Sequence, residues 1–414
     1  MRILYVSVTY PLPVNNGSKM RLWAMLRAVR QAGHEITLAS FAEPHEVAGT
    51  EQELSAVCKD RETVPLRYTK LSTGGDYRKR LSAVFSLSPF TIDRFRSGEM
   101  RSRLERRLRD GGYDMVICDS VYAGINLPDT ACPLVVNSHK IEYLILQRYA
   151  EQERNPFKAL YALLEARKLR RFEAAMYRRA VLGMACSKAD TDLIRRLCPG
   201  IETAVAPNVV DLSEYDVAGE EEPMTILYQG GMDWFPNRDA LEYFVRRIFP
   251  MVQKEAPGVR LIAAGRNPAA EFRARFADVP ALEFTGTVPD LRPLIARATV
   301  CVVPLRIGSG TRLKILEGGA MRKAMVSTTI GAEGLGFEPG EEILIADEPE
   351  QFARAVIELL RDPARRQALG EAAGRKVMTE YDLRALERSM ASALEGLAGR
   401  IGAAAGTRQP APVS

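Results

Sequence analysis

The stretch Val303-Pro304-Leu305-Arg306-Ile307-Gly308-Ser309-Gly310-Thr311-Arg312-Leu313-Lys314-Ile315-Leu316-Glu317 concentrates residue types suited to holding an anion. A β-like apolar run ends at Pro304, and Gly308 and Gly310 allow the backbone to approach a ligand closely. The helical pattern that follows opens with amide groups that have no partner inside the helix, and such a helix start attracts negative charge. Arg306, Arg312 and Lys314 would add the cations a diphosphate needs where the sequence shows no metal cluster. Ser309 and Thr311 lie among them, and Glu317 could accept hydrogen bonds from a pair of sugar hydroxyls. A Lys314–Glu317 ion pair at i, i+3 beside a solvated Arg306 explains the same residues about as well.

Two other glycine sites could bring amides to a phosphate: Gly230-Gly231 after the apolar run Thr225 to Gln229, and Gly17 in Asn15-Asn16-Gly17-Ser18. Each is equally readable as a tight turn. Of the three histidines, His34 sits in a Gly33-His34-Glu35 turn, and His139 follows a strand-like run ending at Asn137. His139 is the best single candidate for a polar group at a reacting centre, with a satisfied loop histidine as the simpler alternative.

These loops can meet only if strands and helices alternate. Residues 3–8 form a β-like run, and Leu22, Met25, Leu26 and Val29 mark one face of a helix that Gly33 ends. Glu35 to Phe41 is the next strand, which makes a βαβ unit and a parallel sheet. Further strands are expected at Met115 to Cys118, Leu134 to Asn137 and Val181 to Cys186. After the turn-rich Ala206-Pro207-Asn208-Val209-Val210-Asp211 and an acidic linker, the alternation restarts over Thr225 to Pro304. The fold class is therefore α/β, with two Rossmann-like parallel-sheet domains and a cleft outside the carboxyl ends of their strands. The 414 residues suffice for two large domains. The expected boundaries are 1–205 and 206–380, then a helix over 381–397 returning to the first domain and a disordered tail over 398–414.

Composition excludes several functions. An excess of five positive charges is too small for a nucleic-acid partner. Six dispersed cysteines, with no CxxC pair, fit neither structural zinc nor a disulfide framework, so metal is not expected and the chain reads as cytoplasmic. The N-terminal apolar run is too short for a signal-peptide core, and no 18-residue uncharged apolar stretch spans a bilayer. The Arg-rich stretch Arg78 to Arg109, interleaved with Phe85, Phe90 and Phe95, reads as amphipathic helices with solvated faces. Its sharper reading is a peripheral contact with the inner face of the cytoplasmic membrane or with an anionic acceptor.

Taken in order, these segments resemble the GT-B fold retaining glycosyltransferases of glycosyltransferase family 4. The resemblance runs through Gly17, Gly33-His34-Glu35, Ser138-His139-Lys140-Ile141-Glu142, Pro207-Asn208-Val209-Val210-Asp211, Tyr228-Gln229-Gly230-Gly231, Ala264-Gly265-Arg266 and Pro304 to Leu335, to about residue 395. It implies a nucleoside-diphosphate-sugar donor in the second domain, with Glu317 on the ribose hydroxyls and Arg266 and Val288 flanking the base. Arg306, Arg312 or Lys314 would face the diphosphate, Gly230 and the Ser309–Thr311 loop would offer amides, Gly17 would lie near the leaving phosphate and His139 on the transferred sugar. It also implies metal-independent transfer without a cofactor, to a glycan or lipid-linked acceptor in polysaccharide or envelope glycan assembly. Three positions depart from the family pattern. Gly231 and Asn237 stand where many members carry Arg and Lys, and Ser309 replaces the first of two glutamates. These losses leave two rivals, a non-catalytic sugar-nucleotide-binding or assembly subunit and a nucleotide-sugar epimerase.

Overall fold

The computed structural model describes residues 1–65, 88–216, 219–266 and 268–406, with side chains to Arg400. The first sheet contains β1 (Arg2–Ser7), β2 (Glu35–Ala42), β3 (Asp60–Pro65), β4 (Met115–Asp119), β5 (Leu134–Ser138), β6 (Leu182–Ala185) and β7 (Thr203–Val205), in the order β3-β2-β1-β4-β5-β6-β7. The second contains β8 (Thr225–Gln229), β9 (Arg260–Ala264), β10 (Leu282–Gly286), β11 (Val300–Val303), β12 (Met325–Ser327) and β13 (Leu344–Ile345), in the order β10-β9-β8-β11-β12-β13. All pairings are parallel. Covering helices on both faces explain why Ile3–Val6 and Met115–Cys118 are continuous buried apolar runs, without the alternation of a half-exposed strand.

Four strands escape the sequence pattern. β3 carries Asp60, Arg61 and Glu62 at the sheet edge, and β7, β12 and β13 have three residues or fewer, too short to show a period. Only pairing with a formed neighbour makes them strands.

The strand order reverses between β1 and β4 in one sheet and between β8 and β11 in the other, so each sheet has a crevice at its carboxyl edge. The chain crosses between the domains near 206–211 and again near 381–383. The crossings are tied by the Val210 amide donating to the Tyr381 carbonyl at 3.0 Å. Beyond the second crossing, the helix Leu383–Gly406 packs Leu386, Met390, Leu394 and Leu397 into the same cluster as Leu22, Met25 and Leu26 of the Gly17–Gln31 helix. The C-terminus therefore completes the core of the first domain. The expected disorder from Ala398 is corrected: the helix runs to Gly406, because its last turns are alanine-rich and alanine is the strongest helix former. Residues 407–414 lie outside the described residues.

Met390 is fully buried in this seam. Met390→Ala is expected to lower the stability of the first domain by about 2–5 kcal/mol, read as a shifted midpoint in urea unfolding.

Candidate active site

Parallel register sets the first half of the site. Ser7, Asp119 and Asn137 are aligned across β1, β4 and β5 at their carboxyl ends. Asp119 is 2% exposed, and its Oδ1 accepts from Tyr5 Oη, Asn137 Nδ2 and His139 Nε2, each at 2.9 Å. Burial raises its pKa, but His139 and Arg21 outweigh this and hold the carboxyl below its ordinary value. The pair fixes the His139 ring, and with Asp119 ionised Nε2 is its donor, leaving Nδ1 free for a ligand. Ser120, next in the chain, takes a left-handed backbone at φ 80°, a strained conformation for a residue with a side chain. Behind His139, the buried Glu173 accepts from the amides of Glu142 and Tyr143 and caps the helix Glu142–Gln152. Burial pushes this carboxyl up to about 8.

The second half follows β8 and β11. Gly230 turns the chain after β8, where a Cβ would sit 2.8 Å from the Asn237 side chain, and Gly231 follows it. Lys314 and Glu317 lie on the helix Leu313–Ala320. Glu317 accepts from Tyr215 Oη at 3.3 Å and Gln229 Nε2 at 3.1 Å; burial raises its pKa, opposed by Tyr215 and Lys314. The i, i+3 ion pair with Lys314 does not form: Lys314 Nζ lies 3.3 Å from Asn237 Oδ1 and 5.1 Å from the Tyr228 ring centre. Burial, reinforced by Arg312, brings its pKa down to about 7. Gly318 and Gly319 let this helix pack closely, since a Cβ on Gly319 would stand 2.6 Å from Val377.

The domains meet directly at these loops. A Cβ on Gly17 would lie 3.0 Å from Leu313 Cδ1, so the starts of the helices Gly17–Gln31 and Leu313–Ala320 face each other. Gly310, at φ 75°, brings its Cα against the His139 carbonyl, which a Cβ would approach to 2.4 Å. Asn208 Nδ2 donates to Thr311 Oγ1 at 2.8 Å, and Arg21 donates to both Asn208 and Asn137. Arg148 holds Glu333 with two bonds of 2.7 Å.

Several residues expected at the donor are engaged elsewhere. Arg306 forms a two-pronged ion pair with Asp239, at 2.6 and 3.1 Å, and lies over Tyr243, so its charge is already matched. Arg312 turns back to the carbonyls of Ser309, Gly310 and Ile330 and braces the loop. Ser309 Oγ accepts from the Ile141 amide across the interface, and Thr311 is held by Asn208. Arg266 follows β9 and leans on Asp233 at 3.5 Å, and the half-buried Val288 follows β10; both remain at the carboxyl edge. In the Arg-rich stretch, residues 78–87 lie outside the described residues. Among its described residues, Arg96, Arg101, Arg103 and Arg107 pair with Asp93, Glu105, Glu62 and Asp60, whereas Arg106 and Arg109 have no carboxylate within ion-pair distance. A cavity of about 660 Å³ opens at the opposite end of the first sheet, but Lys59–Glu35 and Arg107–Asp60 pairs line it.

Residues 15–214 match the model of Glycosyltransferase Family 4, and residues 223–362 that of Glycosyl transferases group 1. The chain belongs to the group 1, family 4-like glycosyltransferases. An uncharacterized 44.6 kDa protein in the cps region of Klebsiella pneumoniae is 24% identical to this glycosyltransferase over 371 residues, 86% of this chain and 90% of that one. LpcC of Rhizobium leguminosarum bv. viciae, a lipopolysaccharide core biosynthesis mannosyltransferase, is 36% identical over 107 residues, 25% of this chain and 29% of its own length. The solved structure of Anabaena Alr3699/HepE in complex with UDP and glucose shares the fold, with a TM-score of 0.64 at 13% identity over 95% of this chain and 99% of that one. The common two-domain plan is GT-B.

Sequence reasoning missed Asp119, Arg21, Tyr215 and Gln229. Asp119 and Gln229 carry one usable signal, a polar residue closing an apolar strand, while Arg21 and Tyr215 are brought in only by packing.

Two outcomes follow from this geometry. Lys314 binds a proton less tightly folded than unfolded, so between about pH 7 and its ordinary 10.5 the unfolded chain holds more protons and stability rises with pH. Lys314→Met should therefore be more stable than wild type at pH 6.5 (about half a unit below that window), and the gap in urea midpoint should close as the pH climbs toward 10.5. Gly310→Ala should push the loops apart, giving a larger radius of gyration by small-angle X-ray scattering.

Proposed function

We propose that this glycosyltransferase moves a sugar, with retention of anomeric configuration, from a nucleoside diphosphate sugar to a glycan or lipid-linked acceptor in polysaccharide or envelope glycan assembly. The observation that carries the donor is uncompensated positive charge. Among the described residues, neither Arg312 nor Lys314 has a carboxylate within ion-pair distance, and two helix starts converge beside them. A diphosphate supplies the missing negative charge. Lys314 reaches Asn237 Oδ1, so the ammonium lies where the family cation is lost, and it would take over that role. The UDP complex of the Anabaena relative supports a nucleoside diphosphate, and the named role of LpcC supports the acceptor class.

Each group then has one task. Glu317, presented by Tyr215 and Gln229, accepts the ribose hydroxyls. Gly230 and the Gly308–Thr311 loop offer backbone amides, and Lys314 with the two helix starts stabilises charge as the anomeric C–O bond breaks and its electron pair passes to the diphosphate. Gly17 keeps the first helix start free of a side chain at this point. His139, held by Asp119, positions the transferred sugar and stabilises charge on it. Asp119 is no nucleophile, because it is buried and bonded to three donors at Oδ1 and to Ser7 Oγ at Oδ2. Retention follows if the acceptor attacks from the face the diphosphate leaves, delivering its proton to the departing phosphate oxygen.

Thermal-shift and calorimetric titration with UDP, GDP, ADP and dTDP test the donor. One of them should stabilise the protein by about 2.7 kcal/mol at about 100 times its dissociation constant. A flat response to all four would sink the donor reading. Glu317→Ala should weaken that nucleotide about tenfold or more, whereas His139→Ala should leave its affinity intact and lower turnover about 100-fold. The anomeric configuration of the product, read by NMR, tests retention.

A further inference from the structure

The helix Pro156–Arg179 packs antiparallel on the helix Glu142–Gln152, and the two form a hairpin whose tip lies at residues 153–157. Glu173 is level with the start of the Glu142–Gln152 helix, and Tyr177 bonds Ser138 at the end of β5 at 2.6 Å. Phe157 lies sixteen residues before Glu173 in the same helix, about 24 Å at 1.5 Å per residue, so the first turns stand beyond the carboxyl edge of the sheet, the edge that carries the candidate site. At this tip Phe157 is 82% exposed, Leu160 55% and Leu163 37%. Spaced by three residues, they share one side of the helix.

Cations surround the apolar tip. Arg154 and Lys158 are exposed beside it, and Arg167, Arg170 and Arg171 follow on the outer side one to two turns on. Among the described residues, Arg154, Lys158, Arg167 and Arg171 have no carboxylate within ion-pair distance, unlike four of the five arginines between 96 and 107. Glu151 and Glu153 precede this helix. Bonds from Tyr149 and the Asn155 amide, and then the Lys158 charge, hold the Glu153 carboxyl below its ordinary value. From 154 to 172 the one acidic residue is Glu165, which is buried and accepts from the Phe90 amide and Lys168, so positive charge prevails along the outer side. A second copy of this chain would set these cations against each other. A surface with an anionic face and an apolar interior complements both features at once.

We propose that the tip of the Pro156–Arg179 helix docks this protein on anionic lipid bilayers: Phe157, Leu160 and Leu163 enter the headgroup boundary, and Arg154, Lys158, Arg167 and Arg171 meet lipid phosphates. Docking at this tip sets the carboxyl-edge cleft toward the bilayer. It goes beyond the transfer reaction and does not depend on it.

Cosedimentation of the full chain with phosphatidylglycerol–phosphatidylcholine vesicles and with pure phosphatidylcholine vesicles, without substrate, tests the docking. Wild type should bind the mixed vesicles, far less the neutral ones, and less at high salt. The double variant Phe157→Ser/Leu160→Ser should lose binding about tenfold or more, and Arg167→Glu/Arg171→Glu about tenfold or more on the anionic vesicles alone. Both variants should keep the wild-type nucleotide thermal shift, or its absence, so failure of docking and failure of the donor reading are separate results. Wild type that binds neither vesicle, or variants that bind as wild type does, would overturn the proposal. So would a dimer in solution that Phe157→Ser/Leu160→Ser dissociates, since the tip would then be a self-interface.

Discussion

Positive charge without an ion-pair partner among the described residues lies at the centre of this molecule. Two helix starts, the Lys314 ammonium and the Arg312 guanidinium meet where the domains touch, and burial already costs Lys314 part of its hold on a proton. Like charges in a shielded place repel, and Glu333 and Glu317, which oppose this from further off, form no ion pair with either cation. Matching the charge internally was available to the fold, as Arg306 and Asp239 show a few residues away. The contrast between Arg306 and Lys314 separates a cation matched by a carboxylate from one that has none within ion-pair distance.

The other half of the site follows the opposite rule. Asp119 Oδ1 accepts from three donors, and the carboxylate orients His139. The same network continues through Asn137 and Arg21 to Asn208, which grips Thr311 of the facing domain. His139 and the Gly308–Thr311 loop are thus linked by contiguous hydrogen bonds, besides the close approach of Gly310. Any relative motion of the domains must break or rebuild these contacts, so the geometry at the histidine and at the loop is set together.

The surface divides its basic residues in a similar way. Between residues 96 and 107 four of the five arginines have a carboxylate partner, and the result is an ordinary solvated helix face. Along the outer side of the Pro156–Arg179 helix most have none, and exposed apolar residues lie between them. A count of arginines in the sequence treats the two segments alike; pairing in space tells them apart.

Much of the architecture was legible in the sequence, because buried parallel strands are written as apolar runs and surface helices as 3.6-residue periods. The loops after those runs, including His139, Gly230 and Gly308 to Glu317, were legible for the same reason, since a strand's carboxyl end fixes which side its loop faces. The four short or charged strands were not, as only a neighbour's hydrogen bonds define them. Nor could the sequence distribute the cations: Arg306, Arg312 and Lys314 are equivalent on paper. Asp239, the loop carbonyls and Asn237, which decide their roles, come from other segments. Residue type and local period are properties of the chain, whereas charge compensation depends on distances that exist only after two domains have folded against each other.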